Sequence, residues 1–197
     1  MAAPRGRGAA RDSATIAATN DPGAKGVYSA AAHEAFYEGF RAAGLDFAVF
    51  LPDSVLDGLE QLLVERGEIA TYQCSREDEG VAMAVGAYLI GKRPVVLMEG
   101  SGIGFSALIL ARAIVQRTPM LLIASHNSTL GERYYSHAAT RLALEPVLRG
   151  LGVPYHVLFD VGQVRTAIVE AQHTVEGQRV PVAVLVPHHV MFETMLR

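Results

Sequence analysis

The 197-residue chain has a single cysteine, Cys74, and so can form no intrachain disulfide. A fold made without such cross-links suits a reducing compartment. No apolar run reaches the roughly 18 residues that a membrane span needs. The basic first residues are not followed by the apolar stretch of a secretory signal. Strong charge of either sign is lacking as well. The 17 Lys and Arg against 20 Asp and Glu leave a formal net charge of -3, which argues against nucleic acid or an anionic membrane as the main partner. There is no internal repeat at solenoid periods. What remains is the expectation of a soluble cytoplasmic globular protein.

What the chain does have is apolar material. Half of its residues are hydrophobic, enough for one sizeable core, and one domain is the default at this length. Residues 1–26 are rich in Ala, Gly, Arg, Ser and Asp without periodicity, so a disordered leader is expected there and a folded domain over 27–197. From Ser29 to Gly44 the pattern is helical, with Ala32, Phe36, Phe40 and Ala43 on one stripe and Gly44 as the stop. A strand over Phe47–Leu51, a turn at Pro52-Asp53-Ser54, a helix from Val55 to about Arg66 and a strand over Ile69–Gln73 follow.

The stretch from Cys74 to Asn127 organises the rest. Ser75 is the expected N-cap of a helix, with Asp78 three residues later completing a capping pattern. From Val81 to Ile90 that helix is apolar on every side, which describes a helix buried in a larger assembly. Glu77 falls in its first turn, just past the C-terminal end of a predicted strand, the edge at which open α/β sheets bind ligands. Then come the strand Pro94–Glu99, the run Gly100-Ser101-Gly102-Ile103-Gly104-Phe105, a second apolar helix, the strand Pro119–Ser125 and His126-Asn127. A polar and aromatic loop to His137, a helix over about Ala138–Arg149, a strand over Tyr155–Phe159, a helix over Val161–Glu176 and a strand over Pro181–Val186 complete the pattern. Strands alternating with helices through short links predict a three-layer αβα fold around a mainly parallel sheet of about six strands.

Several of these residues have plain structural readings. Glu77, Asp78 and Glu79 suit a helix N-terminus, at about 0.3–1 kcal/mol each. Ser54 is the expected cap of the Pro52-Asp53-Ser54 turn. Gly102-x-Gly104-x-x-Ala107 satisfies a loose dinucleotide fingerprint, but no acid ends the next strand, which argues against nicotinamide nucleotides. Cys74 packs as a small apolar residue. His188 and His189 are adjacent on a strand end and cannot share a face, so they make a poor metal site. Tyr134 and Tyr135 suit an interface or a lid.

Glu77 with Gly86 nine positions on, inside an Ala-rich helix, resembles the pyrimidine-binding (Pyr) domain of thiamine-diphosphate enzymes. Val49-Phe-Leu-Pro-Asp-Ser-Val-Leu56 is similar to the Val-Pro-Asp-Ser-Leu-Leu segment of phosphonopyruvate and sulfopyruvate decarboxylases. Met98-Glu-Gly-Ser-Gly-Ile-Gly-Phe105 is similar to their Met-Gln-Asn-Ser-Gly-Leu-Gly-Asn, with Glu99, Gly100 and Phe105 departing from it. The resemblance covers about Ser29 to Val186.

The resemblance implies that Glu77 hydrogen-bonds N1′ of the aminopyrimidine and favours its imino tautomer, so that the cofactor generates its own ylid for attack on a 2-oxo acid. It places Pro52, Gly100, Ser101 and Gly102 beside the cofactor. Asp53, His126, Asn127, Arg133 and His137 fall to the substrate side, where Arg133 and His137 would supply charge-assisted donors to an anionic head. Burial in an apolar cleft would raise the Glu77 carboxyl toward sharing a proton with N1′. The Gly-Asp-Gly and Asn-Asn marks of the Mg²⁺ and diphosphate domain are missing from this sequence. Sulfopyruvate decarboxylases are built from separate α and β subunits, and the chain resembles the α subunit. The implied protein is a subunit of a hetero-oligomeric lyase, its thiamine diphosphate and Mg²⁺ held with a β partner, decarboxylating sulfopyruvate or phosphonopyruvate. The rivals are a carboligase subunit of the acetolactate synthase kind and a non-catalytic Pyr-like subunit that organises a partner.

Overall fold

The computed structural model describes residues 27–194 apart from 131, 133 and 134. The expected leader over 1–26, Arg133 and Tyr134 lie outside the described residues. The chain opens with a two-residue strand, β1 (Val27–Tyr28), and helix α1 (Ala30–Ala42), whose first turn is capped by the Ser29 hydroxyl accepting from the Ala32 amide. The predicted stripe of Ala32, Phe36 and Phe40 is buried, and Tyr37 joins it. Strand β2 (Phe47–Phe50), helix α2 (Asp57–Arg66), strand β3 (Ala70–Gln73) and helix α3 (Glu77–Leu89) follow. Gly67 takes the left-handed conformation that ends α2 (φ 62°).

The second half runs β4 (Pro94–Glu99), α4 (Ser101–Phe105), α5 (Ala107–Gln116), β5 (Leu121–His126), α6 (Ala138–Ala143), α7 (Glu145–Leu151), β6 (Tyr155–Val157), α8 (Val164–Gln178), β7 (Val182–Pro187), α9 (His188–Met191) and β8 (Phe192–Thr194). The main sheet has the order β3-β2-β4-β5-β7-β6, with every pairing parallel. Strands β5 and β7 are buried along their whole length, as continuous apolar runs covered on both faces must be. Residues alternate between two cores. Val95 and Leu97 point toward α1, α2 and α8, while Val96 and Met98 point toward α3, α4, α5 and α7.

The chain steps from β2 outward to β3 and then returns to the other side of β2 with β4. The strand order therefore reverses between β2 and β4, which is where an open α/β sheet leaves a crevice at its C-terminal edge. Three outgoing segments meet there: Leu51-Pro52-Asp53 after β2, Cys74 to Glu77 after β3, and Gly100 to Gly102 after β4.

The structure departs from the sequence pattern in several places. The residue before α3 is Arg76 and not Ser75, and Asp78 caps nothing across the turn; Glu79 Oε2 instead accepts from the Ser75 amide at 2.7 Å. Within this one chain, helix α3 packs one face on the sheet through Gly80, Val81, Ala84 and Ala87 and leaves Leu89 and Ile90 70% and 78% exposed, the apolar surface to which the expected burial in a larger assembly refers. The helix expected over Ala138–Arg149 is two helices broken at Leu144. Pro146 lacks an amide hydrogen, and its ring would strike the carbonyl of Leu142 in a continuous helix. Among its described residues, the long loop before it holds a 3-10 turn, Tyr135–His137. An antiparallel ribbon of β1 with β8, carrying the Tyr28 ring stacked on Phe192, ties the two ends of the described chain together and has no counterpart in the pattern.

Candidate functional site

Glu77 is the first residue of α3 and is half-buried. Its neighbours in sequence are engaged locally. Arg76 forks onto both carboxylate oxygens of Asp78 at 3.0 and 3.2 Å, and Glu79 is turned back onto Ser75. The Glu77 carboxylate takes no hydrogen-bond or ion-pair partner among the described residues. It lies against Gly102 in α4 so closely that a Cβ there would stand 2.3 Å from Glu77 Cγ. Only glycine permits that approach. An acid that no described residue neutralises, held at a helix N-terminus on the sheet's C-terminal edge, is a ready acceptor or proton-sharing partner for a ligand.

Gly100 is under the same restriction for a different reason. A Cβ at position 100 would meet the Ser125 carbonyl oxygen at 2.4 Å and Thr140 Cγ2 at 2.9 Å. The first obstacle is backbone of the neighbouring strand and cannot turn aside. Gly100→Ala is expected to lower stability by about 1–3 kcal/mol, as overpacking does, with a matching fall in the thermal midpoint. Full stability would mean that the β4–β5 edge is softer than described.

At the β2 exit Pro52 is exposed and Asp53 buried. The cap of this turn is Asp53 and not Ser54: Asp53 Oδ2 accepts from the Val55 amide at 3.3 Å, while the Ser54 carbonyl accepts from the Tyr28 hydroxyl. Behind Asp53 stands Glu60, 2% exposed, whose Oε1 accepts from the Asp53 amide at 3.3 Å. Burial, then the charge of Asp53, pushes the Glu60 carboxyl up to about 9; the Asp53 amide works the other way and Asp57 adds to the rise. Glu60 therefore carries its proton at neutral pH. The sequence held a signal for it: an acid on the face that also carries Leu56, Leu59 and Leu63.

Glu99, Asn127 and His188 link the ends of β4, β5 and β7. Asn127 Nδ2 donates to Glu99 Oε1 at 3.4 Å, and the His188 Nε2–H donates to Asn127 Oδ1 at 3.0 Å. His189 turns elsewhere, donating to the Phe159 carbonyl. His126, 7% exposed, is paired with Glu145 Oε1 at 3.1 Å. Glu145 also accepts from Tyr155 and Arg149; the Tyr155 bond first, then the His126 bond and the charges of His126 and Arg149, hold its carboxyl below the usual carboxylate range against the opposing effect of burial. His137 Nδ1 lies 2.9 Å from Glu132 Oε2. The structure thus gathers Glu77, Gly100, Ser101 and Gly102 at one point, with Pro52 and Asp53 on the next strand end. It sets Asn127 along the same edge, engages His126 and His137 with glutamates, and leaves Arg133 outside the described residues. Glu60 and His188 join them, and neither carries a functional assignment in the sequence pattern.

Residues 30–145 match the family described as thiamine pyrophosphate enzyme, N-terminal TPP binding domain. The chain is 33% identical over 138 residues to the sulfopyruvate decarboxylase subunit alpha of Methanothermobacter thermautotrophicus, covering 70% of this chain and 84% of that one. It is 28% identical to the subunit of the same name from Methanococcus maripaludis, covering 78% of this chain and 93% of that one. Among solved structures, a 2-oxoglutarate:ferredoxin oxidoreductase from Magnetococcus marinus superposes with a TM-score of 0.66 at 17% identity, over 82% of this chain and 29% of that one. The benzoylformate decarboxylase of Polynucleobacter necessarius gives 0.64 at 18% identity, over 84% and 31%. The chain therefore spans about a third of each of these two solved proteins, which share its fold.

Proposed function

The chain belongs to the thiamine pyrophosphate enzymes, as an N-terminal TPP-binding domain, and from that premise we propose that it is the Pyr-domain α subunit of a thiamine-diphosphate-dependent 2-oxo acid decarboxylase. Its substrate in this reading is sulfopyruvate, converted to sulfoacetaldehyde and carbon dioxide, with phosphonopyruvate the next in order. The single observation that carries the reading is Glu77, a half-buried carboxylate without a partner among the described residues and seated against Gly102. The similarity to α subunits named for sulfopyruvate, over most of their length, supports the substrate.

The residues present fit an aminopyrimidine. Glu77 would hold it by a hydrogen bond at N1′, and glycine at 102 lets α4 close on the Glu77 side chain, which fixes where that carboxylate stands. When bound, the cofactor supplies the electron sink for the bond that breaks as carbon dioxide leaves. The chain's own residues hold and orient: Glu77 shares a proton at the ring nitrogen, Asp53 holds charge at the mouth, and Asn127 is fixed between Glu99 and His188 along the edge. Arg133 and His137 are assigned to the sulfonate, with His126 on the same side. The Mg²⁺ and the diphosphate belong to a β subunit. The exposed apolar side chains of Phe105, Leu108 and Val115 beside α3, together with Leu89 and Ile90, give that subunit a surface to cover. The compartment is cytoplasmic in this reading; among the described residues no helix is long and apolar enough to cross a membrane.

The test is carbon dioxide release and product identification by the chain mixed with its β partner, thiamine diphosphate and Mg²⁺, on sulfopyruvate, phosphonopyruvate and pyruvate. The expected result is the highest kcat/KM on sulfopyruvate. Acetolactate formed from pyruvate would replace this reading with a carboligase.

A further inference from the structure

We propose that, in the decarboxylase reading on which this rests, Glu99 is a specificity-determining residue whose fixed charge admits a singly charged substrate head and penalises a doubly charged one. Glu99 is the half-buried last residue of β4, beside the point where the strand order reverses. Gly100-Ser101-Gly102 follows it directly, and Gly102 is the glycine seated against Glu77. Three residues of chain span at most about 11 Å, so Glu99 belongs to the same crevice as Glu77. Its carboxylate is held by one oxygen. Asn127, 2% exposed, donates from Nδ2 to Glu99 Oε1 at 3.4 Å and is itself fixed at Oδ1 by His188. Oε2 has no partner among the described residues, and no cation among them forms an ion pair with Glu99. The charged groups on the neighbouring elements do not offset it. Asp53 at the β2 exit and Glu77 on α3 are acids, and Arg76 is taken by Asp78. On β5, His126 is paired with Glu145, and His188 reaches Glu99 only through the neutral Asn127. Helix α4 carries no charged residue.

The two heads under consideration differ in what they bring to such an edge. A sulfonate carries one negative charge throughout the neutral range and has no proton to lose. A phosphonate loses a second proton near neutrality, as phosphate esters do at about pH 6. Its monoanion matches the sulfonate in charge and can donate its remaining O–H to a carboxylate. Its dianion meets a repulsion from Glu99 that the sulfonate does not. Preference for the sulfonate therefore opens as pH rises, and Glu99 is what opens it.

The test is the ratio of kcat/KM for sulfopyruvate to kcat/KM for phosphonopyruvate, measured in the complex with the β subunit from about pH 5.5 to about pH 8.5. The ratio cancels every ionisation of the enzyme that both substrates share. In the parent it is expected to grow about tenfold across that range, the size of one added repulsion at a partly solvated site. Glu99→Gln keeps the size and the acceptor for Asn127 but not the charge, and its ratio should stay flat. Glu99→Asp keeps the charge and should restore the rise, which a merely structural role would not predict. A flat ratio in the parent, or an equal rise in Glu99→Gln, would overturn the proposal. Should the complex decarboxylate neither substrate, the decarboxylase reading fails, and the same ratio is then read from calorimetric binding of sulfoacetate and phosphonoacetate. A rise in the parent that Glu99→Gln abolishes would still support charge selection by Glu99; no rise, or no binding of either probe, would overturn it.

Discussion

Glu77→Gln is expected to fold like the parent chain and to lower kcat in the assembled enzyme by at least about 10²-fold, and up to 10⁴-fold, the range that loss of one positioned proton-sharing group spans. The folding half of this expectation follows from the surroundings of Glu77. Its carboxylate takes no hydrogen bond or salt bridge among the described residues, so neutralising it breaks nothing in the chain. The amide is the same size and still fits beside Gly102, where there is no room for anything larger. The activity half follows from chemistry. An amide accepts a hydrogen bond but cannot share a proton with a ring nitrogen, and that sharing is the function assigned here. A thermal melt and a steady-state carbon dioxide assay check the two halves together. A folded variant with parental kcat would remove Glu77 from the mechanism.

The pH dependence of stability should be dominated by Glu60. Its carboxyl stands at about 9 in the folded chain against 4.5 for an ordinary glutamate, so between these values the folded state holds a proton that the unfolded state has lost. Stability then falls as pH rises, at about 1.4 kcal/mol for each pH unit, is greatest below about pH 4.5, and stops changing above pH 9. Summed across the window, the loss is on the order of 6 kcal/mol. Glu60→Gln has no proton to lose. Its stability relative to the parent should climb steadily from pH 5 to pH 9, read as midpoints of urea unfolding. Parallel curves for the two proteins would mean that Glu60 is ionised in the fold.

The sheet was legible because its central strands are written as apolar runs. Val95 to Met98, Met120 to Ala124 and Val182 to Val186 could only be strands covered on both faces, and they are. Glu77 was legible through its place, an acid opening a helix just after a strand. Local chemistry misled where two residues competed for one role: Ser75 and Ser54 have the better capping side chains, yet Glu79 and Asp53 reach the amides. Long-range relations left little local trace. Nothing near Val27 announces that it pairs with Thr194 across the length of the chain. The link from Glu99 through Asn127 to His188 joins three strand ends that only the sheet order brings together. Glu60 lay between these cases, an acid among leucines whose meaning depended on where Asp53 would fall.

In the proposed enzyme this chain supplies the pyrimidine side of a thiamine-diphosphate site whose other side belongs to a second subunit. The most direct measurement is calorimetric titration of thiamine diphosphate with Mg²⁺ into the chain alone, into its β partner alone, and into the two mixed. Tight binding in the mixture and weak or no binding to either subunit separately is the predicted result, with the heat weakened when Glu77→Gln replaces the parent chain. Equal affinity for the β partner with and without this chain would contradict it.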